Sequence, residues 1–336
     1  MLRFPAEAVS RLRPFYEGRV VCVTGGAGFI GGHLIDALLA LGSLVTVIDD
    51  LSNSSLAHLS SLIDLDPDRV HFIHGSILDD AALDEAIGLQ GGARTVFHLA
   101  ALGSVPRSVK YPERTFGVNA VGTLRVLEAS RSGGVQRVVY ASSSSVYGDG
   151  NRQPKSETML PAPASPYGAA KLAGEQLCAT WSRTYGLSTS VLRYFNVFGP
   201  RQRHDSAYAA VIPLVIRRLI AGERPQIFGD GAQTRDFTFV GNTVLGTLAA
   251  GACGKPLAGE ACNIATGTRT SLLELTERLA ALTLEGAVAG SSFKPEFKPA
   301  RPGEVLHSQA DIALAKGLLG YEPVMGMEQG LSLIHI

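Results

Sequence analysis

Val20-Val21-Cys22-Val23-Thr24-Gly25-Gly26-Ala27-Gly28-Phe29-Ile30-Gly31 decides the fold: a β-favouring apolar run enters a glycine turn that opens a helical stretch over 32–41. An unbroken apolar run suits a strand covered on both faces, the situation of a parallel sheet. Gly25, Gly28 and Gly31 form a Gly-x-x-Gly-x-x-Gly loop, and small residues there let backbone N–H groups and a helix N-terminus approach a pyrophosphate. A glycine turn alone does no more than redirect the chain. The strand before it, the helix after it and a second strand ending in Asp49 point to a dinucleotide, because an acidic residue at that distance meets the adenosine ribose. Asp49 could instead cap a turn, and Asp50 beside it is open to either role. A carboxylate there repels a ribose 2′-phosphate, so NAD is expected rather than NADP.

Outward from this loop, apolar β-rich runs recur at 20–23, 44–48, 70–73, 95–99, 137–141 and 188–192, with helical patterns between them. Strands alternating with helices predict an α/β fold, a Rossmann-like doubly wound parallel sheet. Past Asn196 the alternation loosens into segments punctuated by Pro and Gly, which predicts a smaller irregular α+β substrate-binding region over the carboxyl edge of the sheet. The expected divisions are a leader helix in 1–18, an NAD-binding domain over 19–195 rejoined around 236–252, a mainly substrate-binding region over 196–330, and a truncated or foreign tail at 331–336.

Lys plus Arg and Asp plus Glu both number 30 in the 336 residues. The net charge of zero removes the electrostatic case for a nucleic-acid or anionic-membrane partner. Cys22, Cys178, Cys253 and Cys262 form no Cys-x-x-Cys pair, so they read as small hydrophobes in a reducing, cytoplasmic compartment. No apolar run is long enough to span a bilayer. His71 and His74 lack matching acidic partners, so no metal site is expected, and His98 reads as a strand-end packing residue.

Tyr167-Gly168-Ala169-Ala170-Lys171 follows Pro166 and sets a phenol and an ammonium on one helical face. Tyrosine ordinarily titrates near pH 10 and is a poor base at neutrality, but an adjacent cation favours its phenolate. The short motif is common by chance. Here it follows a glycine loop and a serine-rich strand end in one βα chain.

With these residues in order, the sequence resembles the extended short-chain dehydrogenase/reductase family and, within it, the NAD-dependent nucleotide-sugar 4-epimerases, bacterial UDP-N-acetylglucosamine 4-epimerases in particular. His98-Leu99-Ala100-Ala101, Asn119, Ser142 to Gly148, Arg193-Tyr194-Phe195-Asn196, Thr234-Arg235-Asp236 and Arg301-Pro302-Gly303-Glu304 all carry the resemblance. It implies hydride transfer from the sugar C4 to NAD, with Tyr167 taking the hydroxyl proton. Lys171 would hydrogen-bond the nicotinamide ribose and lower the phenol's pKa, and Ser143 would orient the hydroxyl. A 4-keto sugar would then rotate and receive the hydride on its other face. The implied cofactor residues are Gly25, Gly28, Phe29, Ile30, Gly31, Asp49, Asn53, Ser76, Ile77, Leu99, Ala100, Ala101, Asn119, Tyr167 and Lys171. Ser76 departs from an acidic residue common in relatives. The implied substrate residues are Gly103, Ser104, Ser142, Ser143, Asn196, Gln202, Val211, Phe228, Arg235, Arg301, Glu304 and Ser308.

Related dehydratases resemble Thr-Asp-Glu, and UDP-glucuronate decarboxylases Thr-Ser-Glu, where this chain has Ser143-Ser144-Ser145. With no carboxylate as a second acid or base, reversible epimerisation is expected. Ser308 stands where enzymes restricted to glucose and galactose resemble a tyrosine, which leaves room for a 2-acetamido group. UDP-GlcNAc and UDP-GalNAc are therefore the expected substrates, with UDP-Glc and UDP-Gal also possible. The alternatives are a UDP-glucuronate or UDP-N-acetylhexosaminuronate 4-epimerase, for which Arg107 is a nearby cation, and a non-catalytic NAD-binding regulator. The resemblance also implies a homodimer through a helix at 113–131 and the catalytic helix at 167–185.

Overall fold

A computed structural model describes residues 4–150, 152–203, 210–284, 294–299 and 306–334. Six strands, β1 (Val20–Thr24), β2 (Leu44–Asp49), β3 (Val70–His74), β4 (Thr95–His98), β5 (Arg137–Ser143) and β6 (Ser188–Tyr194), are joined by a seventh, Ala258–Ile264. The order across the sheet is Ala258–Ile264, β6, β5, β4, β1, β2, β3, and every neighbouring pair is parallel. The chain runs outward from β1 to β3 and then returns to lay β4 on the other side of β1. That reversal opens a crevice at the carboxyl ends of β1 and β4.

The apolar runs serve two cores at once. Val21, Val23, Val45, Val47, Phe97, Val139 and Leu192 turn to one layer. Cys22, Ile48, Val96, Val138, Tyr140 and Val191 turn to the other. With helices on both faces, both sides of each strand are mainly apolar.

Before the sheet, α1 (Ala6–Tyr16) docks onto the domain through Tyr16, which is buried and donates from Oη to the carbonyl of Leu248 at 2.6 Å. Behind the glycine turn runs α2 (Phe29–Ala40), and after β2 comes α3 (Ala57–Leu65). Helix α4 (Asp80–Gly88) follows β3, with Asp79 capping its N-terminus. Two short helices, α5 (Val105–Lys110) and α6 (Pro112–Phe116), lead through a π-turn at Gly117–Val121 into α7 (Gly122–Ser132). The helix expected at 113–131 is thus present but carries a π-turn, which rotates Asn119 into the interior, where it is 1 % exposed. Helix α8 (Pro166–Tyr185) starts where Ser165 caps the amide of Gly168 at 3.1 Å and Pro166 fills a first-turn position. Gly174 lets it press on β5, since a Cβ there would lie 2.3 Å from the Tyr140 hydroxyl oxygen.

Past Asn196, α9 (Val211–Ile220) and several two-stranded ladders form the smaller region, and α10 (Val240–Gly251) returns to pack beside α2. The register of Ala258–Ile264 along β6 then ends with Ile264 opposite Tyr194, close to Asn196 at the crevice.

Candidate active site

A cleft of about 900 Å³ lies at the carboxyl edge of the sheet. Gly25, Gly28, Phe29, Ile30 and Gly31 line it from the turn, Asp49 and Asn53 from the end of β2, Ser76 and Ile77 from beyond β3, and Leu99, Ala100 and Ala101 from beyond β4. The loop tolerates nothing larger at two positions. A Cβ on Gly25, whose φ is +73°, would stand 2.6 Å from the Ala100 nitrogen, and one on Gly31 2.3 Å from the Gly25 carbonyl. Gly28 caps α2 without a side chain, and the first turn holds no acidic residue. The helix start is therefore left to an anionic ligand, and NAD fits these residues through its pyrophosphate.

Asp49 is structural as well as cleft-lining. Its Oδ2 accepts from the Ala27 amide at 3.0 Å, and its Oδ1 accepts from the Leu51 amide at 2.9 Å and Ser54 Oγ at 2.8 Å. It ties the glycine loop to the following turn, so the capping role is filled by a carboxylate that also lines the cleft.

His98 sits in a directed chain. Thr123 Oγ1 donates to the Asn119 carbonyl (2.7 Å), so His98 Nε2 must donate to Thr123 (2.9 Å) and Thr24 Oγ1 must donate to His98 Nδ1 (2.7 Å). Burial, helped by the Lys171 charge, pushes this imidazole down to about 3 and keeps it neutral. Thr24 Oγ1 also accepts from the Ala100 amide at 3.2 Å, and Asn119 Oδ1 from the Leu102 amide at 2.8 Å. The chain fixes the 99–103 wall. Asn119, expected to touch cofactor, stands behind that wall with Oδ1 and Nδ2 both turned to the Leu102 backbone.

Tyr167 is half-buried in the first turn of α8 and lines the cleft with Lys171 one turn on. Burial raises the phenol above its usual 10, and the Ser143 hydroxyl acts in the opposite direction. Burial pulls Lys171 down to about 8. Its Nζ donates to the Ala141 carbonyl at 2.8 Å and lies 5.0 Å from the Tyr140 ring centre. Ser142 also lines the cleft, while Ser143 does not; its Oγ accepts from the Ser145 amide at 3.2 Å and donates to Ser145 Oγ at 3.1 Å.

Of the expected sugar contacts, Gly103, Ser104, Asn196 and Gln202 line the same cleft. Asn196 adopts φ +33° and donates from Nδ2 to the Asp236 carbonyl at 3.3 Å. Gln202 donates from Nε2 to the Val197 carbonyl at 3.0 Å, while its buried Oε1 has no protein donor among the described residues. Val211 packs against the core beside cleft-lining Ala210. Phe228, Arg235 and Ser308 gather instead around Thr234, whose carbonyl accepts from the Ser308 amide (3.0 Å) and Arg235 Nη1 (3.0 Å). Gln233 Nε2 bonds the Phe228 carbonyl at 2.5 Å. Arg301 and Glu304 lie outside the described residues.

Arg201 is a cleft residue that sequence reasoning missed. Its Nη2 donates to Asp36 Oδ2 (2.8 Å) and His33 Nδ1 (2.6 Å), both on α2, and His33 Nε2 donates to the Pro200 carbonyl at 2.9 Å. These partners are more than 160 residues away, so no local signal marks them.

Comparison with known proteins gives the family. The NAD dependent epimerase/dehydratase family profile matches residues 21–265. The UDP-glucose 4-epimerase of Mycolicibacterium smegmatis is 40 % identical over 313 residues, which is 92 % of this chain and 95 % of the relative. Among solved structures, the UDP-glucose 4-epimerase of Thermotoga maritima with UDP-glucose has TM-score 0.85 at 37 % identity, covering 94 % of this chain and 96 % of that one. The UDP-N-acetylglucosamine 4-epimerase of Methanobrevibacter ruminantium in complex with UDP-N-acetylmuramic acid has TM-score 0.85 at 35 % identity, covering 94 % and 97 %. With the glycine cradle, Asp49 and the Tyr167–Lys171 pair all at one cleft, the chain belongs to the NAD dependent epimerase/dehydratase family.

Proposed function

We propose that this protein is an NAD-dependent 4-epimerase of UDP-sugars that interconverts UDP-GlcNAc and UDP-GalNAc and also accepts UDP-Glc and UDP-Gal. The observation that carries the reading is that Tyr167 and Lys171 line one cleft with Ser142, and that Ser143, Ser144 and Ser145 follow with no carboxylate among them. Glu175, the carboxylate behind Ser142, accepts from Arg193 on both oxygens and is not free to act as a second acid. A cycle that returns to the alcohol suits such a site better than elimination or decarboxylation.

When bound, NAD supplies reversible hydride chemistry at C4 of the sugar. The chain does the rest. Tyr167 takes the proton of the sugar hydroxyl and later returns one, Ser143 bonds the phenol, and the Lys171 charge favours the phenolate. Gly25 to Gly31 and Asp49 hold the dinucleotide, while Ser104, Ser142, Asn196 and Gln202 face the sugar as it turns over. On this reading 19–195 with 236–252 carry the cofactor and 196–330 mainly the substrate.

One observation supports a neutral sugar. Ser308, whose small side chain carries the expectation of room at C2, is buried beside Arg235 and is not among the residues that line the cleft. Arg107, the cation a uronate would need, directs Nη1 and Nη2 to Asn53 Oδ1 at 3.4 Å, on the cofactor side of the cleft. Val109, Phe116, Val121 and Leu124 are exposed on or between α5 and α7 and suit a homodimer.

Incubating purified protein with UDP-GlcNAc, UDP-Glc and UDP-glucuronate without added NAD tests the reading. UDP-GalNAc is expected as the fastest-formed product. Conversion of the uronate alone, or of none of the three, would overturn it.

A further inference from the structure

Ser142 spends its hydroxyl proton inward. Its Oγ donates to Glu175 Oε1 at 2.5 Å, while Arg193 donates to the same carboxylate from Nε at 3.0 Å and Nη2 at 2.7 Å. The Glu175 and Arg193 side chains are each 5 % exposed, and the guanidinium lies 4.7 Å from the Tyr147 ring centre. A buried ion pair is costly to desolvate and often folds no better than apolar residues of the same size, so stability is a weak reason for its presence. A carboxylate can only accept. While Glu175 holds Ser142, the serine proton cannot turn toward the cleft that Ser142 lines, and the cleft meets only lone pairs.

We propose that Glu175, held by Arg193, is a positioning residue that fixes Ser142 as a hydrogen-bond acceptor and makes this wall select a sugar hydroxyl that donates. The inference rests on the UDP-sugar reading and deepens it. Glu175 is one helical turn beyond Lys171 on α8, so one rigid element orients Ser142 and also ties Lys171 to the Ala141 carbonyl. The neighbouring acceptors are already committed: Ala141 O to Lys171, and Ser143 Oγ to the Ser145 amide. On this strand end, among the described residues, the Ser142 hydroxyl oxygen is left to receive a donor from the ligand.

The NAD-loaded protein is titrated calorimetrically with UDP-glucose and with analogues that carry fluorine in place of one sugar hydroxyl, since bound fluorine cannot donate. For one position the wild type should lose about tenfold in affinity, the worth of one net hydrogen bond, while Ser142→Ala, which leaves the Glu175–Arg193 pair intact, should bind parent and analogue alike. Glu175→Gln offers Ser142 an amide donor in place of a pure acceptor, so it should weaken UDP-glucose binding about tenfold in the wild-type background and less than about twofold in Ser142→Ala. Equal losses in both backgrounds would make Glu175 merely structural and overturn the proposal. So would a Ser142→Ala protein that still discriminates the analogue. Because binding is the readout, a wild type that shows this pattern but epimerises nothing defeats the epimerase reading alone.

Discussion

Lys171 donates from Nζ to the main-chain carbonyl of Ala141 at 2.8 Å, so the lysine itself joins the catalytic helix to the strand that carries Ser142 and Ser143. Burial pulls this ammonium down to about 8, below its ordinary 10.5. The charged form is present below that value and is shed as pH rises through it. Turnover that needs the cation should therefore fall along an alkaline limb near pH 8. Lys171→Arg remains charged at every working pH and should lose that limb whatever its absolute rate. Initial rates measured from about pH 6 to pH 10 check both, and a wild-type limb starting only above about 9.5 would contradict the assignment.

Ser143 is the group that acts against burial at Tyr167. The sequence suggests that Lys171 does this, and the neighbouring serine hydroxyl adds to it. A base must be deprotonated to work, so removing the serine hydroxyl should move the rising limb of the pH–rate profile upward. Ser143→Ala should show that displacement together with a lower plateau. Tyr167→Phe should lose the general-base contribution itself, about 10²- to 10⁴-fold in kcat. An unshifted limb in Ser143→Ala would mean that the serine orients the sugar without tuning the phenol.

The strands were legible because each is an apolar run, but their ends were not. Strand β5 continues through Ser142 and Ser143, and β6 through Arg193 and Tyr194, where ladder bonds persist after the hydrophobic pattern stops. Ser142 and Tyr194 line the cleft from those positions. The seventh strand, Ala258–Ile264, stayed hidden because Gly259, Glu260 and Asn263 interrupt it, and its place is set by pairing with β6 rather than by its own composition. The motifs marked the cofactor loop and the Tyr167–Lys171 pair. They could not mark the partners that fix them, since Glu175 with Arg193 and Asp36 with Arg201 meet only through the fold.

His33 couples the cofactor helix to the loop bearing Arg201 and Gln202, and it does so only while neutral, because Nδ1 must accept from Arg201. Burial is the main force lowering its pKa to about 4, against an ordinary 6.5. A lowered folded value means stability that is present above about pH 6.5 and lost as pH falls from there through about 4, on the order of 3 kcal/mol in all. His33→Gln can still donate to Pro200 and accept from Arg201 but does not titrate in this range. Its urea midpoint should therefore decline less than that of the wild type between pH 7 and pH 4.5. Parallel declines would remove His33 as the source of acid sensitivity.

Ser308 tests sugar choice. Its side chain is 7 % exposed and its amide is tied to the Thr234 carbonyl, beside Arg235. A tyrosine there fills volume that the proposed reading gives to a 2-acetamido group. The two substrates differ at that group alone, so a steric block should fall on one of them. Ser308→Tyr should cut kcat/KM for UDP-GlcNAc by about tenfold or more and leave UDP-Glc within about threefold. Overpacking a buried site typically costs about 1–3 kcal/mol of stability, which would lower the Tm and depress both activities together. Measuring the Tm with the two kcat/KM values separates the cases, and equal loss on both substrates would refute the size argument.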